Sequence, residues 1–211
     1  MTVDLLLAFA LTELVLWLSP GPAVLLVVAT TLSSGRRCGA VATVGIVLAT
    51  AAYFLLSASG LIALLHASAT LFELVRWAGV VYLVYLGVRI ILGAGSGKEG
   101  ANQRPVHRYG AGSNWHSFKQ GLALQASNPK AIAFFAAILP QFVSPGSPIA
   151  LQFCALALIS ILIQVLVLLG YVVIATAASD RLRPRVKARL EYSAGAILIG
   201  MAGLLAACRR T

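Results

Sequence analysis

The residues best equipped for chemistry lie in two short stretches of this 211-residue chain. Ser19-Pro20-Gly21-Pro22-Ala23 and Ser127-Asn128-Pro129-Lys130-Ala131 each place proline inside an apolar run. Proline has no N–H to give. Pro20 and Pro22 therefore deprive the carbonyls of Leu16 and Leu18 of their helical donors, and Pro129 does the same to Gln125. Carbonyls freed in this way can accept from an ammonium group. A half-helix starting after Pro22 offers unpaired N–H groups and positive dipole character to a carboxylate. Lys130 adds a full positive charge. These groups suit a small zwitterion, and the expected binding residues are Ser19, Pro20, Gly21, Pro22, Ala23, Gln125, Asn128, Pro129 and Lys130.

Glu13 is the only formal charge between Asp4 and Arg36. Its spacing to Trp17 and Pro20 puts all three on one helical face, so its carboxylate is aimed at the first break. It is read either as a proton carrier or as the counter-ion of Lys130. Lys130 lies eleven residues past Lys119, about 16 Å along a helix and near mid-membrane, where an ionisable group is a functional candidate by default. The plainer alternative is a structural lysine that bonds the freed carbonyls. Gln125, Gln164 and Tyr171 are favoured as interhelical hydrogen-bonders over substrate contacts. His66, His107 and His116 fall in loops or span ends and read as solvated.

What must position these groups is a set of membrane spans. The chain is 60% hydrophobic and 10% charged, with a mean hydropathy of +0.92, against roughly 25% charged for a soluble domain. From Asp4 to Arg36 a single helix would be about 48 Å long, well over a hydrocarbon core of about 30 Å. The prolines near its middle break it. A broken span is tolerated at membrane depth only where it is buried in protein or lines a wet cavity. A charge-free second span follows from Gly39 to Leu65, and a third from about Leu71 to Leu92, with Glu73 and Arg76 at pairing distance. Residues 93–117 are polar and glycine-rich and read as a cytoplasmic linker. The fourth span runs from about Phe118 to Val143, with Pro140 freeing the carbonyl of Ala136. Ile149 to Ala178 is the fifth and Tyr192 to Cys208 the sixth. Ala196, Gly200, Gly203 and Ala207 make a small-residue stripe on the last helix, suited to packing within the chain or in a homodimer.

The expected fold is thus an all-α integral membrane protein in one transmembrane domain. Six helices form two inverted three-helix repeats, 1–92 and 118–211, with proline-broken first and fourth helices. Twelve of the 16 Lys and Arg residues fall in loops one, three and five, which places those loops in the cytoplasm and both termini outside. Paired breaks in halves of opposite orientation are the plan of secondary transporters that alternate access around a central site.

Four motifs carry a family resemblance. Ser19-Pro20-Gly21-Pro22-Ala23, Trp77-Ala78-Gly79 with Tyr82-Leu83-Val84-Tyr85-Leu86-Gly87, Ser127-Asn128-Pro129-Lys130-Ala131 and Leu139-Pro140-Gln141-Phe142-Val143 occur in this order. The chain resembles the LysE/RhtB family of amino-acid exporters from the first span to at least the fifth. That resemblance implies efflux of an amino acid or derivative across the bacterial inner membrane, driven by the proton gradient.

Other functions find little support. The net charge of +10 sits in short loops rather than on a folded basic face, which disfavours nucleic acid. Cys38, Cys154 and Cys208 are widely separated and form no metal or redox pair, so neither a metal nor another cofactor is expected. A carrier of metal or reducing equivalents would need Cys pairs or carboxylate clusters at the breaks. A membrane enzyme would need a nucleophile such as Ser57 or Ser59 with a histidine at the same depth, and the sequence offers none.

Overall fold

A computed structural model describes residues 2–59, 114–143 and 148–181 continuously, with individual helical positions among residues 77–92 and 189–203. The Glu73–Arg76 pair, Tyr82, Arg89, His66, His107, Cys208, most of the linker and the basic loop after residue 181 lie outside the described residues.

Helix α1 spans Val3–Leu18 and α2 spans Pro22–Ser34. Thr2 caps α1 through its hydroxyl, which accepts from the Leu5 N–H at 3.4 Å. The helix stops where Pro20 can no longer donate. Pro22 then opens α2 at its first position, where a missing N–H costs nothing. The two helices are bent by 50°. Gly35, with φ of 89°, alone separates α2 from α3. That left-handed backbone is one glycine adopts without steric cost. Helix α3 covers Arg36–Ala58.

Helix α4 runs over Asn114–Ala126, starting four residues before the expected Phe118. A local ladder accounts for the extension: Trp115 stacks on Phe118 at 5.3 Å, and the Lys119 ammonium lies 5.6 Å from the Trp115 ring. The helix breaks at Ser127 and Asn128. Helix α5, Pro129–Ala133, restarts it with Asn128 as its cap, the Asn128 side chain accepting from the Lys130 N–H at 3.1 Å. The chain continues as a π turn over Phe134–Ile138 and a 3₁₀ turn over Leu139–Phe142. The Leu139 N–H reaches back to Phe134, so the helical register has already changed one residue before Pro140. Pro140 therefore costs less than it would inside an α ladder.

Helix α6, Ile149–Arg181, is 33 residues long. Gln152, Leu156, Ser160, Gln164, Leu168, Val172 and Ala175 form its buried stripe, while Leu151, Leu158, Leu162, Leu166 and Val173 face outward. The stripe packs on α1, α2 and α3, and α3 packs most extensively on α4. At that last crossing a Cβ on Gly45 would meet the Phe118 carbonyl and one on Gly121 would meet the Ala42 carbonyl, so the backbones touch only because both residues are glycine. Gly87 and Gly195 do the same for the third and sixth segments, each facing the other's carbonyl.

No strand occurs among the described residues. Helices Arg36–Ala58 and Ile149–Ser179 are long and apolar enough to cross a bilayer, and the bent pair α1–α2 makes up to a third span. The described residues are all helical or in short connections, and the chain is a multi-pass membrane protein. Of the two packings open to the small-residue stripe, none within the chain is seen among the described residues: Ala196, Gly200 and Gly203 are exposed, and space is open beside both glycines. Gly195, one position earlier, makes the packing contact with Gly87, which turns the stripe away from these described neighbours. Ala207 lies outside the described residues.

Candidate functional site

The two helix breaks meet. A cavity between them is lined by Leu16, Ser19, Gly21, Ala23 and Val24 from the first break and by Gln125, Asn128, Lys130 and Ala131 from the second. Glu13, Trp17, Thr50, Phe134, Phe135 and Ser160 complete the wall. Including its open mouth the space amounts to about 480 Å³, which lies at the low end for small-molecule clefts.

Lys130 bridges the breaks. Its ammonium donates to the carbonyl of Leu16, the one freed by Pro20, and to that of Ser19 at 3.1 Å. Its stem passes Gly21, where a Cβ would lie 3.6 Å from the lysine Cδ. The other freed carbonyls are also served. Tyr171 donates its hydroxyl to Leu18 at 3.1 Å, and the Asn128 N–H donates to Gln125 at 3.1 Å. This corrects the expectation that the carbonyls of Leu16, Leu18 and Gln125 are left without donors for a ligand: a carbonyl freed in an apolar setting recruits whatever donor the fold can bring.

A polar chain runs away from the break. Asn128 donates its amide to the Gln125 side chain at 2.9 Å, Gln125 donates to the Thr50 hydroxyl at 3.0 Å, and Gln164 donates to the same hydroxyl at 3.1 Å. Gln125, Gln164 and Tyr171 thus make interhelical hydrogen bonds, and Gln125 also lines the cavity. Tyr53 donates to the Ala126 carbonyl at 2.7 Å, just before the break.

Glu13 lines the same cavity and is only 2% exposed. The Ser160 hydroxyl donates to its Oε1 at 2.9 Å, and Trp17 adds a side-chain hydrogen bond. Glu13 and Lys130 face a common space, yet no carboxylate–ammonium contact within 4.0 Å joins them. The first turn of α2 borders the cavity through Ala23 and Val24, and its cap Gly21 supplies no side-chain acceptor.

Of the residues singled out from sequence, Glu13, Ser19, Gly21, Ala23, Gln125, Asn128 and Lys130 come together around the cavity. Pro20, Pro22 and Pro129 do not line it and act on the backbone that does. Sequence reasoning missed Thr50, Ser160, Phe134 and Phe135. Ser160 and Gln164 at a spacing of four in an apolar helix were the available signal. Among the described residues no three His, Cys, Asp or Glu side chains gather into a metal site.

Residues 14–208 match the family model of LysE type translocators. The chain belongs to the LysE family. It is 30% identical over 99% of both chains to a homoserine/homoserine lactone efflux protein of Salmonella typhimurium, and 29% identical over 99% of both to its counterpart in Salmonella typhi. An uncharacterized membrane protein of Pseudomonas aeruginosa is 37% identical over 90% of this chain and 88% of its own. No solved structure matches this LysE chain. The match covers both helix breaks and every residue lining the cavity except Glu13, which lies one position before it.

Proposed function

We propose that this LysE member is a secondary exporter of a small neutral amino acid or amino-acid derivative, of the homoserine type carried by its Salmonella relatives. The observation that carries this reading is the bridge from Lys130 to the Leu16 and Ser19 carbonyls across a cavity between two helix breaks. Lys130 has three N–H donors and gives two of them to the first break. The third, with the uncapped first turn of α2, leaves positive character for a substrate carboxylate. The few polar groups in an otherwise apolar cavity suit a small solute.

Six spans in two inverted halves, with the linker and loops one, three and five cytoplasmic and both termini outside, would place the cavity near mid-bilayer of the inner membrane. Rocking of the halves about the breaks would open it to each side in turn. Glu13 is the coupling carboxylate, carrying a proton inward as substrate leaves. Efflux from homoserine-loaded proteoliposomes tests the reading. Lys130→Ala is expected to abolish efflux while inserting normally, and efflux at the wild-type rate would overturn the assignment of the site.

A further inference from the structure

Each freed carbonyl already has a donor, Lys130 for Leu16, Tyr171 for Leu18 and the Asn128 N–H for Gln125, which leaves at most a second lone pair on a neutral oxygen for the ammonium end of a zwitterion. A charged acceptor, Glu13, faces the same cavity. Its buried carboxylate is held by Ser160 and Trp17, with no cationic partner within 4.0 Å among the described residues. An ionised carboxylate has about four acceptor positions, so these two donors leave room for more. Lys130 is the other charged group lining the cavity. Leaving a carboxylate buried and unpaired is costly, and a ligand cation removes that cost on arrival.

We infer that Glu13 is the substrate-ammonium site, paired across the cavity with Lys130 as the carboxylate site, so that two side chains read the two charged ends of an α-amino compound. This rests on the exporter reading of the same cavity. It also gives that reading a coupling mechanism. A proton and a substrate ammonium compete for one carboxylate, so each displaces the other and the two move in exchange.

The test is substrate-for-substrate exchange by the full chain in proteoliposomes without a proton gradient. The probes are homoserine and homoserine lactone, which carry an ammonium, and N-acetylhomoserine, which does not. Glu13→Gln is expected to raise half-saturation for the first two by about tenfold or more, the loss of a charge-assisted hydrogen bond. It is expected to leave the weak competition by N-acetylhomoserine unchanged. Ser160→Ala keeps the carboxylate but removes the bond that holds it, and a smaller rise of the same sign is expected. Unchanged half-saturation in Glu13→Gln overturns the inference, including the case where gradient-driven export fails while exchange is intact, which would give Glu13 to the proton alone. Should Glu13→Gln not insert, an unchanged value in Ser160→Ala overturns it. Wild-type protein that exchanges none of the probes overturns the exporter reading itself, and with it this inference.

Discussion

The ammonium of Lys130 stands 3.1 Å from the carbonyl oxygen of Ser19, 111 positions earlier in the chain. One side chain therefore ties the end of α1 to the start of α5, and the two breaks are held as a unit rather than as independent kinks. Replacing Lys130 with Met keeps the stem and removes the donors. The carbonyls of Leu16 and Ser19 then lose their partner, at a cost of about 1–3 kcal/mol for a buried group and the lower part of that range for these partly exposed ones. Thermal unfolding of the detergent-solubilised variant should show a drop in Tm of a few degrees. An unchanged Tm would mean the breaks are held together elsewhere.

The α3–α4 crossing should be intolerant of a single methyl group. A Cβ on Gly45 or Gly121 meets backbone carbonyls, which cannot swing aside as a flexible side chain would. Gly45→Ala and Gly121→Ala are each expected to destabilise by about 1–3 kcal/mol through overpacking. Gly170 in α6 has open space around its position and serves as the control. Gly170→Ala should be neutral or stabilising by up to about 1 kcal/mol, since alanine is the better helix former. Equal Tm values for all three variants would contradict the described crossing.

Thr50 is the shared acceptor of Gln125 and Gln164. Thr50→Val keeps the shape and leaves two buried amides without that acceptor, at about 1–3 kcal/mol each. Thr50→Ser should retain most of the stability. Because Thr50 also lines the cavity, the valine variant should raise the half-saturation for efflux as well as lower Tm. A variant with wild-type values of both would remove Thr50 from the network.

Phe9 is fully buried and sits 5.1 Å from the Phe142 ring and 6.2 Å from that of Phe134. This cluster fastens α1 to the π and 3₁₀ turns beyond the second break. Phe9→Ala should cost about 3–5 kcal/mol by creating a cavity. Loss of folded protein in size-exclusion chromatography, or a large fall in Tm, is the expected readout. Phe9→Leu should fall between the two.

The breaks were legible because proline leaves a mark no neighbour can erase: without an N–H, Pro20, Pro22 and Pro129 cannot continue a preceding helix, and Pro22 and Pro129 each open a new one. Asn128 was legible as part of a motif, and its role as the cap of α5 follows from its side-chain oxygen. What receives the freed carbonyls was harder to see, since Lys130 and Tyr171 reach them from 114 and 153 positions away. Thr50 and Ser160 were hidden for a different reason. Hydroxyls in apolar helices often satisfy themselves on the carbonyl four residues back, as Thr43 does with Gly39 and Thr176 with Val172. Nothing local distinguishes those from Thr50, and only the spacing of Ser160 to Gln164 marks the other hydroxyl that turns toward the cavity. The contact glycines Gly45 and Gly121 were equally silent, because a glycine in a helix looks the same whether a carbonyl lies beside it or open space does.

The dependence of the first break on distant donors bears on how the chain is made. When α1 and α2 are made, the partners for the Leu16, Leu18 and Ser19 carbonyls have yet to be translated, since Lys130 and Tyr171 lie more than a hundred positions beyond the carbonyls they serve. Until then the nascent bent pair carries bare peptide oxygens that hydrocarbon will not solvate. It must wait beside water, the translocon or another protein, and final seating of the N-terminal helices becomes a late event in biogenesis rather than an early one.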